Sequence, residues 1–276
     1  MIYLCLAILS STLVSVLMRI GSQGEEARKP MLAINYMTCM LVSLCIMHGF
    51  VWQGPGIGAV LGIGLPAGIF YLAAFLLLQT NVRTNGVSLS SAFMKLGVIV
   101  PVILGITCFG ERLSLSRLAG ILLTVSAILV LSGRQPGQQR RQYHLLILLM
   151  FCGGMADGSS KIYDACGVPE LQGQFLFTAF GVAMLLCVLV CMREHQTPNK
   201  RDWGLGVMLG IPNYFSSLFL LWSLTSVPAS VAFPVFSCGT ILFLTLIGHL
   251  VFRETLEKRQ QLSLGLVLAA LVCLNI

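Results

Sequence analysis

Ten apolar stretches, separated by polar connections of about a dozen residues or fewer, leave this chain only one solvent in which to fold. They lie near 2–20, 31–51, 57–79, 87–109 and 116–133, then 143–162, 172–192, 203–226, 229–251 and 262–276. A helix that crosses a bilayer needs roughly 20 predominantly apolar residues, and these stretches come near that length except the last, which at about fifteen tilts little or starts earlier than 262. The longest connections, 21–30, 134–142 and 193–202, leave no room for a domain outside the membrane.

Composition closes the alternatives. Hydrophobic residues make up 57% of the 276 and charged residues 10%. A soluble domain carries about a quarter charged residues because its surface must face water. An ordinary soluble enzyme, a disordered chain and a secreted disulfide scaffold are therefore excluded. The formal net charge of +7 is no nucleic-acid signal, since the basic pairs Arg140-Arg141 and Lys200-Arg201 have no interleaved aromatics. The ten cysteines stand singly in apolar stretches with no C-x-x-C pair, as expected of small residues packed between helices. The first stretch starts at Ile2 without a basic leader or a cleavage site, so it is expected to be a retained span. Trp52, Tyr143 and Trp203 stand at predicted span ends, where amphipathic rings favour the headgroup level.

The chain also repeats. Gly64-Leu65-Pro66 in the third span matches Gly210-Ile211-Pro212 in the eighth. Phe109-Gly110-Glu111-Arg112-Leu113 after the fourth matches Phe252-Arg253-Glu254-Thr255-Leu256 after the ninth, and Arg19-Ile20 matches Lys161-Ile162. These anchors divide the chain into a first five-helix repeat over 1–133, a linker over 134–142 and a second repeat over 143–276. Five is odd, so the second repeat must enter the membrane in the opposite sense. The fold expected is an all-α integral membrane protein of ten transmembrane helices in two inverted five-helix repeats, the architecture of many secondary transporters.

The glycine–glutamate turn Gly110-Glu111, followed by Arg117-Leu118-Ala119-Gly120-Ile121 with its early glycine, resembles the drug/metabolite transporter superfamily, specifically its EamA-type permeases. The second copy departs: Arg253 replaces the glycine before Glu254, and Gly265 comes two residues late. The resemblance covers essentially the whole chain. It implies a transporter in the cell membrane that exports amino acids, drugs or other metabolites, with Glu111, Gly120 and Glu254 as its motif residues.

Charges within the hydrocarbon layer cost about 2.5–3.5 kcal/mol on insertion scales, so each one calls for a reason. Lys95 stands near the centre of the fourth span, as a partner for a carboxylate on another helix or as a cation lining a substrate cavity. Asp157 is the one acid well inside a span, in Gly153-Gly154-Met155-Ala156-Asp157-Gly158-Ser159-Ser160-Lys161. It is either ion-paired with Lys161 at i+4 or a protonatable group coupled to transport. Lys95 and Asp157 are expected to face one central cavity. Pro66, Pro101, Pro212 and Pro234 are expected to interrupt helices, with Pro66 and Pro212 as the repeat-related pair beside that cavity. Asn213 suits substrate hydrogen bonding, and Tyr71, Tyr214 and Trp222 suit an aromatic lining. Glu111 and Glu254 sit where they can favour a helix N-terminus, and Ser114 or Ser116 can cap the fifth span.

No metal-binding, P-loop or nucleophile motif occurs, so no cofactor is expected and energy would come from a proton or ion gradient or from facilitated flow. The expected function is secondary transport of a small organic molecule by alternating access. A lipid flippase is the alternative, with a membrane-embedded enzyme or a channel behind it. Orientation meets two opposed signals. Odd-numbered loops hold twelve Lys and Arg against three in even-numbered loops, which puts both termini outside by the positive-inside rule, whereas the resemblance implies cytoplasmic termini.

Overall fold

The computed structural model describes residues 1–21, 29–47, 49–50, 54–85, 87–131, 142–250 and 258–275. Glu254, Arg253, Trp52 and the linker arginines Arg134, Arg140 and Arg141 lie outside the described residues. The described residues form eleven α-helices and one 3-10 turn, Pro169–Leu171. The first half holds α1 (Ile2–Gly21), α2 (Lys29–Ile46), α3 (Ile57–Asn85), α4 (Val87–Leu96), α5 (Ile99–Thr107) and α6 (Leu115–Leu131). The second holds α7 (Tyr143–Cys166), α8 (Gln172–Arg193), α9 (Lys200–Leu224), α10 (Ala229–Leu250) and α11 (Lys258–Asn275). Seven segments are long and apolar enough to cross a membrane, and one of them, Leu89–Thr107, joins α4 and α5. The elements are thus consistent with ten spans. Tyr143 and Trp203 stand exposed at the starts of α7 and α9, at interfacial depth.

Helices from opposite halves pair with one another. α1 packs on α9 and α10, α2 on α8 and α9, α3 on α7 and α8, and α6 on α11. Exchanging the halves turns the α1–α9 pair into α7–α3 and the α2–α9 pair into α8–α3, both of which exist. That reciprocity is what a pseudo-two-fold relation between inverted repeats requires.

Glycine spacing makes these approaches possible. In lipid no hydrophobic force drives helices together, so close backbone contact at small residues carries the association. A Cβ on Gly68 of α3 would meet the Ala179 carbonyl at 2.5 Å and Val182 at 2.6 Å on α8. One on Gly210 of α9 would meet Thr38 at 2.5 Å and the Asn35 carbonyl at 2.8 Å on α2. Gly64 and Gly206, one turn earlier, face Thr178 and Ile34 in the same way. Gly97 abuts α7 at Met150 and Gly154, and Gly239 abuts α1 at Ile8. Each of the pairs Gly64/Gly206, Gly68/Gly210 and Gly97/Gly239 is separated by 142 residues.

That constant spacing corrects the proline match. Pro66 and Pro212 are 146 residues apart, one helical turn out of register. Pro66 is exposed on α3 and Pro212 is buried in α9, and both helices run through their prolines without a break. Pro234 likewise sits inside continuous α10. Losing one N–H leaves most of a long helix's ladder intact, and neighbouring helices hold it straight. Pro101 alone coincides with a break among the described residues. It cannot donate to Gly97, and the chain there tightens into i→i+3 turns: Val98 N–H donates to Lys95 at 3.2 Å and Val100 N–H to Gly97 at 2.9 Å.

Polar clasps join the halves at both ends. At one end, Glu111 follows Gly110, whose φ of 64° suits glycine, and its side chain folds back over Gly105. Its carboxylate accepts the backbone N–H groups of Ala229 (2.8 Å) and Ser230 (2.9 Å), the first residues of α10. Lys161 Nζ completes it at 3.1 Å, and its ammonium lies 5.5 Å from the Phe109 ring centre. The glutamate therefore caps α10 of the opposite half, while Ser114 caps α6 by accepting the Arg117 N–H at 3.2 Å. At the other end, buried Asn85 accepts the Gln142 N–H at 2.9 Å, and buried Asn81 donates to the Leu145 carbonyl at 2.9 Å, tying α3 to the start of α7.

Gly120 is packed against Leu274 of α11. Its partner across the repeat is Ser263, 143 residues on, which donates to the Ala127 carbonyl at 3.0 Å. Gly265, the glycine two residues late, has no neighbouring atoms where its Cβ would be.

Two outcomes are expected. Gly154→Val should lower the detergent melting temperature by an amount corresponding to about 1–3 kcal/mol, because its Cβ would strike the Gly97 carbonyl and Val100. Gly153→Ala should be close to neutral, its nearest neighbour being 3.9 Å away. The second outcome concerns acid. Burial alone would raise the Glu111 carboxyl, but the Ser230 and Ala229 N–H groups, together with Lys161, outweigh it and hold the group below its ordinary value. Its stabilising contribution is complete above the ordinary carboxylate value of about 4.3 and is lost as pH falls through the depressed value. A melting series should show the gap between wild type and Glu111→Gln narrowing only below about pH 4.5. A gap that closes at neutral pH would contradict this.

Candidate functional site

Among the described residues, the broken helix and α7 bring a cation and an anion from the two halves near one another close to span centres. The glycine face Gly154/Gly158 of α7 rests on Gly97, Val100, Pro101 and Leu104 at the α4–α5 break. Asp157, between those glycines, is thereby brought within electrostatic reach of Lys95. Lys95 occupies the last turn of α4, where the carbonyl end of the helix favours a cation. Among the described residues neither group forms an ion pair within 4.0 Å. Both are half-buried.

Tyr71, at the middle of α3, joins them. Its side chain lies beside Asp157, Ser160 and Ser217, and it too is half-buried. Ser217 donates to the Asn213 carbonyl at 3.3 Å, so α9 continues the polar surface. Half-buried Asn213 donates from Nδ2 to Asn35 Oδ1 of α2 at 3.4 Å and lies 3.7 Å from the Cys39 sulfur. The result is a polar track from the α4–α5 break across the middle of α7, α3, α9 and α2.

The sequence reading missed Ser160, Ser217, Asn35 and Cys39. Ser160 follows Asp157 by three residues and Ser217 follows Asn213 by four, so helical spacing could have found both. Asn35 is an amide inside a span, itself a signal. Cys39 carries none.

Three expectations need correction. Lys161 does not pair with Asp157. It pairs with Glu111 at 3.1 Å and with Asp164 at 3.5 Å, because the carboxylate held at the α10 N-terminus is a prefixed anion one turn beyond Asp157. Tyr214 lines no accessible surface: its ring is fully buried in the α2–α3–α8–α9 core beside Phe180 and Phe215. Trp222 lies two residues from the end of α9, packed edge-on against Tyr3 at 5.2 Å, and so belongs to one membrane boundary. The breaks expected at Pro66, Pro212 and Pro234 are absent, and only Pro101 adjoins the site.

The chain matches the EamA-like transporter family twice, over residues 1–133 and over 143–276. An uncharacterized protein of Haemophilus influenzae is 25% identical over 290 aligned positions, covering 98% of this chain and 96% of that protein. The uncharacterized membrane protein YvaE of Bacillus subtilis is 38% identical over 61 residues, covering 22% of this chain and 51% of that protein. A solved crystal structure superposes with a TM-score of 0.76 at 13% identity, covering 99% of this chain and 94% of the other, which establishes likeness of fold. With both halves matched, the chain belongs to the EamA-like transporter family.

Proposed function

We propose that this protein is a secondary transporter of the cell membrane that moves a small zwitterionic solute by alternating access. The observation that carries the reading is the unpaired, part-accessible couple of Lys95 and Asp157, one from each half, close to span centres. Unpaired charges at such depth are costly, and a solute bearing a carboxylate and an ammonium offsets both at once. In this reading Lys95 receives the carboxylate, Asp157 the ammonium, and the hydroxyls of Tyr71 and Ser217 orient the ligand, with buried Ser160 behind Tyr71. The amide of half-buried Asn213, held by Asn35, offers both donor and acceptor to its remaining polar groups. A ligand held by both halves can be carried from one side to the other as they tilt. Asp157 is also the carboxylate at which a coupling proton would compete with the ammonium.

Charge-selective loss tests the reading. In proteoliposomes loaded against a panel of amino acids, monocarboxylates and primary amines, Lys95→Met should lower zwitterion flux at least about tenfold, as expected for a lost charge-assisted contact. Uptake of the carboxylate-bearing members should fall with it, while amine transport is retained. Asp157→Asn should give the opposite selectivity. The double variant should fold better than either single one, because no lone buried charge remains, and should move neither class. Loss of all fluxes in equal proportion in both single variants would argue against two separate charge contacts. Transport of neutral lipids with both charges removed would favour a flippase.

A further inference from the structure

We propose that the junction of Glu111, Lys161 and the α10 N-terminus is a latch between the halves, made when that end of the protein is closed and broken when it opens. The proposal rests on the alternating-access reading above. Four observations carry it. The contact crosses the halves, from the α5–α6 connection to α7 and α10. It is buried, with side-chain exposures of 10% for Lys161 and 11% for Glu111. Its carboxylate is filled by two backbone N–H groups and one ammonium at 2.8–3.1 Å. The clasp at the opposite end is of a different kind, a neutral pair of asparagines, Asn81 and Asn85.

The physics of a buried ion pair gives the latch its switch-like character. Separating these charges while they stay dry leaves each uncompensated, which is strongly unfavourable. Separating them as water enters costs far less, because hydration replaces the lost contacts. The latch therefore resists partial opening and yields to full opening. The neutral clasp has no such threshold, so the two ends differ in how sharply they release. Lys161 is shared with Asp164 at 3.5 Å, which gives the ammonium a partner to keep after Glu111 withdraws. Glu111 has no second cation among the described residues, and its connection, hinged at Gly110, is the part expected to move.

The test reads opening directly, without transport. In the full chain with its ten cysteines replaced, Ser217→Cys is a probe in the central track, labelled with a membrane-impermeant maleimide in right-side-out and inverted vesicles. A second chain retaining only Cys166, exposed at the end of α7 beside the latch, identifies which membrane face carries it. Glu111→Gln should raise the labelling rate from the latch face by about tenfold and lower it from the other, as for a two-state equilibrium released from one charged contact. Lys161→Met should act in the same direction while leaving the α10 cap in place, and so covers a Glu111 variant that fails to fold. If the probe is labelled from both faces but neither substitution changes their ratio, the latch is wrong and alternating access stands. If the unsubstituted probe is never reached from more than one face, with or without the amino-acid panel, alternating access fails and the latch with it.

Discussion

Close backbone contact at glycine is the interaction on which the rest of this structure depends. Lipid offers no gain for hiding one leucine against another, so the halves are held by dispersion at short range and by buried hydrogen bonds. Gly64 and Gly68 seat α3 on α8, Gly206 and Gly210 seat α9 on α2, and Gly97 with Gly154 seats α7 on the broken fourth span. The last contact matters most for function. A backbone separation small enough to exclude a methyl group brings Asp157 and Lys95 into mutual reach, and a side chain at either glycine would push them apart.

Much of this was legible in the sequence because the membrane limits the choices. Apolar runs set the spans to within a few residues, except where polar chemistry extended a helix: α3 continues to Asn85 because Asn81 and Asn85 find partners on α7. The early start of α11 at Lys258 has the same character, a polar turn ahead of the apolar run. The duplication was visible too, but of its three anchors the proline match lay a turn out of register, while Arg19-Ile20 and Lys161-Ile162 already lay at the 142-residue spacing of the glycines. Glycines gave the true register, and they could not be told apart from ordinary small residues until the neighbour each one faces was known.

The site was less legible, for two reasons. A charge at depth announces that it needs a partner without saying which, and helical spacing pointed Lys161 towards Asp157. The actual partner, Glu111, comes from a connection 50 residues away in sequence and was fixed by the α10 N-terminus, a long-range fact with no local trace. Aromatic residues were no better guides: Tyr71 and Tyr214 look alike in a span, yet a rotation of one position puts one beside Asp157 and the other in the core.

The register of the glycines exposes a contrast between scaffold and site. At the 142-residue spacing that relates Gly97 to Gly239, Tyr71 corresponds to Asn213, both half-buried and both on the central track. Lys95, however, corresponds to Ser237, Asp157 to Ser15 and Pro101 to Phe243, so neither charge and no break is repeated. The packing contacts are thus symmetric while the charges are not. On the proposed alternating-access reading, symmetric packing would give the two end states similar contacts and keep them close in energy. A site with one cation and one anion in unequal places can then hold a polar solute in one orientation, since turning it end for end would set like charges together. Repetition of Lys95 and Asp157 in both halves would have removed that distinction, so on the proposed transport reading the loss of symmetry at these two positions is what would let a duplicated scaffold recognise an asymmetric molecule.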